Sequence, residues 1–338
     1  MHTGPLPFER RVAVWDAALA SVREHLRGQG LREVSTPVRV AAPAIEPYIE
    51  PIAAPPGYLA TSPELAMKRL LCRGSGPIFQ LSHVFRQAEV GARHSEEFHL
   101  LEWYRLGDAL AEIERDVEQV VGRVFAAAGA EERAPRRWRR HGFFDVFAAT
   151  TGVTALRSDE DDAALRERLT PELRAQVWNG RPGPQNNVDP EARSLAAWTA
   201  LFSAWSDRHL DPWLSGQVDV GVHLCEFPAA LAALSQVDAR GGRAVAQRVE
   251  SHVGGVELAN GYLELRDPDE QRCRFLRVQA LRRGLGAPAL PLDEEFLREL
   301  TAPGLPACAG VALGLDRLVM LACGRSRLQD VTLALGAC

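Results

Sequence analysis

The chain has 338 residues, 46% hydrophobic and 25% charged, so it can bury a large core, and its composition sits near the globular average. A net charge of −5 supplies no basic footprint and disfavours a nucleic-acid partner such as tRNA. Met1 to Arg11 lacks a basic start followed by an apolar run, and the longest apolar stretch, Leu195 to Trp205, is too short for a bilayer. A soluble cytoplasmic protein without a membrane partner is expected.

Val12, Trp15, Leu19, Val22 and Leu26 recur at steps of three and four, so Phe8 to Arg27 reads as an amphipathic helix stopped by Gly28 and Gly30. A strand over Leu31 to Ser35 ends at Thr36-Pro37. Ser62 reads as an N-cap with Pro63 at the first helical position, giving a helix to about Arg73. Pro77 to Phe85 and Phe98 to Tyr104 read as strands of a hairpin whose tip, Arg86 to Glu97, is charged. Asp108 reads as the cap of a helix from Ala109 to Ala128, and Glu131 to Arg140 as a basic connection. Arg181 to Arg193 reads as a loop, followed by a helix with Leu195, Trp198, Phe202 and Trp205 on one face. Val218 to Phe227 and Arg248 to Leu265 read as strands around turns, and Asp267-Pro268 opens a helix to Arg283. Residues 130–215 form a candidate insertion or connecting segment within a single catalytic domain over 1–338.

The six cysteines form no CxxC pair and read as buried or free thiols. Lys68 is the only lysine among the 39 basic residues, which reads as compositional bias without a function.

Three distant segments carry chemistry. In FRQAEVGARHSEEFHLLEWYR, Arg86, Arg93 and His94 offer cations to an anion, and Phe98 offers a flat face to a base. Glu102 and Tyr104 alternate and so share one face of the returning strand. In RVESHVGGVELANGYLEL, Glu250 and Glu257 flank a Gly254-Gly255 turn that can bring two carboxylates together around Mg²⁺, while Asn260, Tyr262 and Glu264 share a face. In GVALGLDRLVML, Gly310 and Gly314 allow close backbone approach before a helix bearing Arg317. Taken singly, each segment also reads as an ordinary core element or a solvated charged loop.

Together they resemble the three signature motifs of class II aminoacyl-tRNA synthetases. Pro37 matches the end of motif 1, Phe85-Arg86 with Phe98 matches motif 2, and Gly314 to Arg317 matches motif 3. The segments TSPELAMKRLL, GPIFQLSHVFR, RHSEEFHLLEWY and GVELANGYLEL are similar to the lysyl-type branch. The motif 1 helix starts within about ten residues of Met1, leaving no room for an anticodon-binding barrel before it. LEWYR and GVALG resemble the elongation factor P–(R)-β-lysine ligase family, which modifies a lysine of that translation factor.

The resemblance implies an α+β fold, a mainly antiparallel sheet flanked by helices, and a homodimer formed through the motif 1 helix and strand. It implies ATP and Mg²⁺ as cofactors, a lysine-like amino acid as substrate and elongation factor P as acyl acceptor. By carry-over, Arg86 holds the α-phosphate and the attacking carboxylate, Arg317 and His94 grip the β,γ end of ATP, and Glu250 and Glu257 carry Mg²⁺. Phe98 stacks on adenine, with Gln87, Ala88, Ser95, Ser251 and Gly314 also at the nucleotide. Glu264 and Tyr104 meet the distal ammonium, Ser62, Glu64 and Glu102 the other amine, and Asn260 the carboxylate, with Glu257 alongside. Two positions depart from the family pattern: Ala88 replaces the glutamate assigned to adenine, with Glu89 just beyond it, and Ser95 replaces asparagine. Ala312 stands where lysyl-tRNA synthetases have glycine, implying preference for a displaced amine. Activation of α-lysine for tRNA or another carrier, and a catalytically silent module on the same fold, stand as alternatives.

Overall fold

The computed structural model describes residues 4–158, 160–178, 190–240 and 242–333. In chain order its main elements are α1 (Phe8–Gly28), β1 (Arg32–Glu33), β2 (Arg39–Val40), β3 (Ala53–Ala54), β4 (Gly57–Leu59), α2 (Glu64–Cys72), β5 (Ile78–Phe85), β6 (Glu97–Leu106) and α3 (Leu110–Ala127). They continue with β7 (Arg137–Gly142), α4 (Phe143–Thr151), α5 (Asp162–Arg168), α6 (Pro171–Trp178), α7 (Pro190–Trp205), α8 (Asp211–Ser215), β8 (Val220–Pro228) and β9 (Val237–Arg240). The last are β10 (Arg243–Val253), β11 (Val256–Leu263), α9 (Pro268–Gly284), α10 (Glu294–Glu299), β12 (Cys308–Gly314) and α11 (Leu315–Ala322).

The main sheet has nine strands, with the path β1-β5-β6-β12-β11-β10-β8-β7 and β9 paired to β10. The end pairs β1/β5 and β7/β8 are parallel, and the pairs between them are antiparallel. Short strands β2, β4 and β3 form a separate small sheet. This is the expected α+β class.

A period of two decides which side of the sheet each residue takes. Leu101 and Trp103 of β6 and Ala309, Val311 and Leu313 of β12 join Trp15 and Val22 of α1, Val117 of α3 and Leu318 of α11 in one core. Full burial of such a large apolar side chain is worth about 1.5–3 kcal/mol. Trp103 is also anchored by its indole N–H, which donates to Asp116 Oδ2 at 3.1 Å, and Arg105 grips the same carboxylate. Glu102, Tyr104, Gly310 and Ala312, the alternate residues, are left to the opposite face. A second core of Phe143, Phe147, Trp198, Trp205 and Phe227 joins α4 and α7 to β8.

Helix α1, the β5–β6 hairpin, the β10–β11 hairpin and α9 lie where the sequence pattern puts them, and Asp267 caps α9 by accepting from the N–H groups of Asp269 and Glu270. Four details differ. Asp108 does not cap α3, because the helix starts at Leu110 and the cap position falls on Ala109, which has no side-chain acceptor. Helix α2 starts at Glu64 with Pro63 as its N-cap residue, and the Ser62 hydroxyl accepts from the Glu64 N–H at 3.3 Å.

The basic segment read as a connection contains β7, an edge strand parallel to β8. Its charged residues suit an exposed edge and hide the apolar alternation that marks an inner strand. Trp138 of β7 lies flat across Gly221, where an added Cβ would come within 2.3 Å of the indole ring. Of the expected loop, residues 181–189 lie outside the described residues, while 190–193 already belong to α7.

Candidate active site

Strand register builds the floor of the site. One row across β6, β12, β11 and β10 is Glu102, Ala312, Asn260 and Glu250. A parallel row two residues along each strand is Tyr104, Gly310, Tyr262 and Arg248. Both rows line one cavity of about 390 Å³, together with Ser62 and Glu64 beside the start of α2, Arg86, Glu89, His94, Ser95 and Phe98 of the β5–β6 hairpin, and Glu257, Gly314 and Arg317. The size is in the range of sites that enclose a small ligand.

The inner end is acidic. Glu102, Tyr104 and Glu264 are all at most 2% exposed. The Tyr104 hydroxyl donates to Glu102 Oε1 at 2.7 Å, whereas Glu102 Oε2 is buried without a hydrogen-bond partner among the described residues. Burial and then the charge of Glu64 raise the Glu102 carboxyl well above its usual range, and burial pushes Glu264 up to about 7 against the opposing effect of Lys68. Gly310 is required here by close approach: a Cβ would lie 2.3 Å from the Tyr104 ring and 2.6 Å from Glu264 Oε1. A buried carboxylate with a vacant acceptor costs several kcal/mol unless a cation meets it, so this end is shaped for ammonium groups.

The outer end is basic. Arg86 donates to the Thr61 carbonyl at 3.3 Å, and its guanidinium lies 5.2 Å from the centre of the Phe98 ring. Arg317 donates to the carbonyls of Arg93 and Glu257, both at 3.1 Å, which aims it from the start of α11 into the cavity. Burial, then the charge of Arg317, holds the His94 imidazole below its ordinary value. The shift favours the neutral imidazole over the cation that the loop setting of His94 suggests.

Glu250 and Glu257 reach the same cavity, but among the described residues no group of three ligating side chains converges. Burial raises Glu250 to about 7, opposed by Arg248, which donates to it at 2.5 Å, and the Glu257 charge adds to the rise. Two carboxylate donors fit a Mg²⁺ ion that arrives with nucleotide phosphates and keeps much of its coordination there. They do not form an all-protein cage.

Most residues named from the sequence thus meet in one cavity, and three do not present their side chains to it. Ser251 is next to Glu250 on β10, so its side chain takes the other face, where its hydroxyl meets His223 Nδ1 at 2.9 Å. Gln87 and Ala88 are held by their backbones: the Gln87 N–H donates to the Glu50 carbonyl at 2.8 Å, and the Ala88 N–H to Glu96 Oε1 at 2.7 Å. Ala88 has φ of 62°, and this left-handed residue precedes Glu89, which lines the cavity. We expect Glu89→Ala to raise KM for ATP about tenfold, the loss of one hydrogen bond to a charged group, and Ala88→Glu to change it less than twofold. Exchange kinetics at varied ATP check this, and the reverse ranking would place the adenine contact at position 88.

Sequence reasoning missed two charged residues. Arg248 lies two residues before Glu250 and shares its face, donating to Glu250, to Asn260 Oδ1 at 3.2 Å and to the Leu231 carbonyl at 2.9 Å. The period-two pattern used for Asn260 and Glu264 would have found it. Lys68 follows Glu64 by one helical turn and is 1% exposed, with Nζ 2.6 Å from both Glu64 Oε1 and Glu264 Oε2. The contact to Glu264 is an ion pair without a well-directed hydrogen bond.

Residues 9–334 match the family described as tRNA synthetases class II (D, K and N). A Proteus mirabilis (strain HI4320) protein named elongation factor P–(R)-β-lysine ligase is 34% identical over 323 residues, covering 93% of this chain and 91% of the relative. Relatives of the same name from Salmonella dublin and Salmonella paratyphi B (strain ATCC BAA-1250 / SPB7) are each 35% identical over 326 residues, again covering 93% of this chain and 91% of their own.

Proposed function

From the premise that the chain belongs to the class II tRNA synthetase family (D, K and N), and within it to the elongation factor P–(R)-β-lysine ligase family, we propose that it joins (R)-β-lysine to a lysine side chain of elongation factor P. The observation that carries the reading is the acidic inner end, where Glu102 Oε2 is buried beside Glu264 and Tyr104 without a hydrogen-bond partner among the described residues. A dibasic amino acid brings the missing cations.

In the first step the amino acid carboxylate attacks the α-phosphorus of ATP, a P–O bond forms to the substrate, and pyrophosphate leaves. Arg86 is placed to hold the α-phosphate and the attacking oxygen, and Arg317 to neutralise the leaving phosphates. A Mg²⁺ ion carried by the nucleotide would be held by Glu250 and Glu257 and would supply further charge neutralisation. Asn260 accepts from Arg248 through Oδ1, leaving its amide nitrogen to donate to the carboxylate. In the second step an acceptor amine attacks the acyl carbon, an amide forms, and AMP leaves with loss of a proton. Alignment and charge placement suffice, without a protein nucleophile.

Ala312 lies between Glu102 and Asn260 in its row, so its methyl group borders the amino acid. We expect (R)-β-lysine to be preferred over α-lysine, and Ala312→Gly to gain α-lysine use, since one methyl is worth about 1–3 kcal/mol in a pocket. ATP–pyrophosphate exchange with both isomers, followed by transfer to elongation factor P monitored by intact mass, checks the reading. Efficient charging of tRNA with α-lysine would overturn it.

The single long sheet supports treating residues 1–338 as one catalytic domain, with 130–215 inserted between the motif 2 and motif 3 halves. Among the described residues no helix is long and apolar enough to cross a membrane, and we place the activity in the cytoplasm, where ATP and the acceptor occur. Exposed Phe8 and Val12 on α1 and Val38 after β1 support a homodimer through the motif 1 unit, which sedimentation measures directly.

A further inference from the structure

We propose that Lys68 is a specificity-setting residue: placed between Glu64 and Glu264, it offsets one carboxylate of the amino-acid pocket and favours the ionised form of the others, and so selects substrates that bring two ammonium groups. The inference rests on the proposed function and deepens it. Among the carboxylates that line the cavity, Glu64, Glu102 and Glu264 stand together at its amino-acid end, and Lys68 Nζ lies 2.6 Å from Glu64 and Glu264. The Lys68 ammonium offsets one carboxylate and, by opposing the effect of burial on Glu264 and Glu102, leaves acidic groups ready to meet the ammonium groups of a substrate. A lysine isomer carries two ammonium groups, and its carboxylate is met separately at the arginine-rich end.

The placement is enforced by the fold. Glu64 and Lys68 are one turn apart on α2, and Glu264 follows β11, so helix and sheet meet through this ammonium. Lys68 and Glu264 are each 1% exposed, which leaves little water to screen them. Burial works against the charge on Lys68, but Glu264 and Glu64 outweigh it and hold the ammonium above its ordinary value. Lys68 in turn lowers Glu264 and Glu102 against the burial that raises both. The other titratable groups around it, Tyr104, Cys72 and Cys308, are all raised by burial and stay neutral. Without Lys68, three carboxylates share one dry pocket and cannot all ionise. Protons would then satisfy the acids, and the demand for a substrate cation would fall.

Lys68→Met tests this through exchange kinetics with lysine isomers and with norleucine, which lacks the distal ammonium. At pH 7 we expect KM for the dibasic substrate to rise at least about 30-fold, KM for ATP to stay within threefold, and preference over norleucine to fall at least about tenfold. The defect should shrink toward pH 9, as the extra protons leave the carboxylates. Unchanged preference, or a loss independent of pH, would overturn the proposal and make Lys68 a packing residue. Should Lys68→Met fail to fold, Lys68→Arg keeps a positive charge between Glu64 and Glu264 and is expected to keep both the preference and the ordinary pH profile. Loss of either in a folded Lys68→Arg variant would overturn the proposal. Wild-type kinetics separate this from the parent reading: failure to activate any dibasic amino acid would remove the proposed function itself.

Discussion

Arg86→Ala and Arg317→Ala each lower ATP–pyrophosphate exchange by at least about 100-fold, with the loss mainly in kcat. Removal of one donor aimed at developing charge typically costs 10²–10³ in rate, and both side chains end in the cavity with guanidinium nitrogens left for phosphate. Neither forms a buried pair on which the core depends, so the melting temperature should change little. Steady-state exchange and thermal melting together check the expectation. Normal exchange in both folded variants would mean that the phosphates bind elsewhere.

Glu102→Gln separates the acidic end of the pocket from the basic one. The substitution keeps the shape and the oxygen that accepts from Tyr104 at 2.7 Å, but removes the charge that an ammonium would meet. Truncating one member of a buried charge pair costs about 2–5 kcal/mol, so KM for the dibasic amino acid should rise about 30-fold or more, while KM for ATP changes less than threefold. Equal losses for both ligands would place Glu102 outside the amino-acid subsite. The contrast is sharp because Glu102 lies on β6 while Arg86 lies just beyond the end of β5, and both line one cavity.

Local pattern carried much of this architecture in the sequence. Glu102 with Tyr104, and Asn260 with Glu264, could be grouped because strand side chains repeat every two residues, and the Gly254-Gly255 turn fixed the β10–β11 pairing, with φ of 58° and 75° at the two glycines. The same rule, applied consistently, exposes the error at Ser251, an odd neighbour of Glu250 that must point away. What local pattern could not supply was partnership across elements. Lys68 looked like compositional bias because its second partner, Glu264, lies almost two hundred residues further on and meets it only when α2 packs against the sheet. Strand β7 was hidden because an edge strand can be charged, and its pairing with β8 spans the helices α4 to α8. Burial and a neighbouring arginine, which weigh against a cationic His94, are likewise set by packing and not by the local pattern.

An aminoacyl-adenylate is an acylating agent, and it does not distinguish one uncharged amine from another once it escapes a pocket. The chain that would make this intermediate has one lysine, at position 68, and that amine is sealed at 1% exposure and kept protonated by two carboxylates. The remaining basic side chains are arginines and histidines, and an arginine guanidinium remains charged at any working pH and is a poor nucleophile. Burial of Lys68 therefore leaves no lysine on the enzyme's own surface to compete with the acceptor for the acyl group. Incubated with ATP, Mg²⁺ and the amino acid but no acceptor, the protein should show no lysine adduct by peptide mass mapping, whereas Arg93→Lys, which places an amine at the rim of the same cavity, should become acylated there. The enzyme is then protected from its own product by having almost no residue of the kind it modifies.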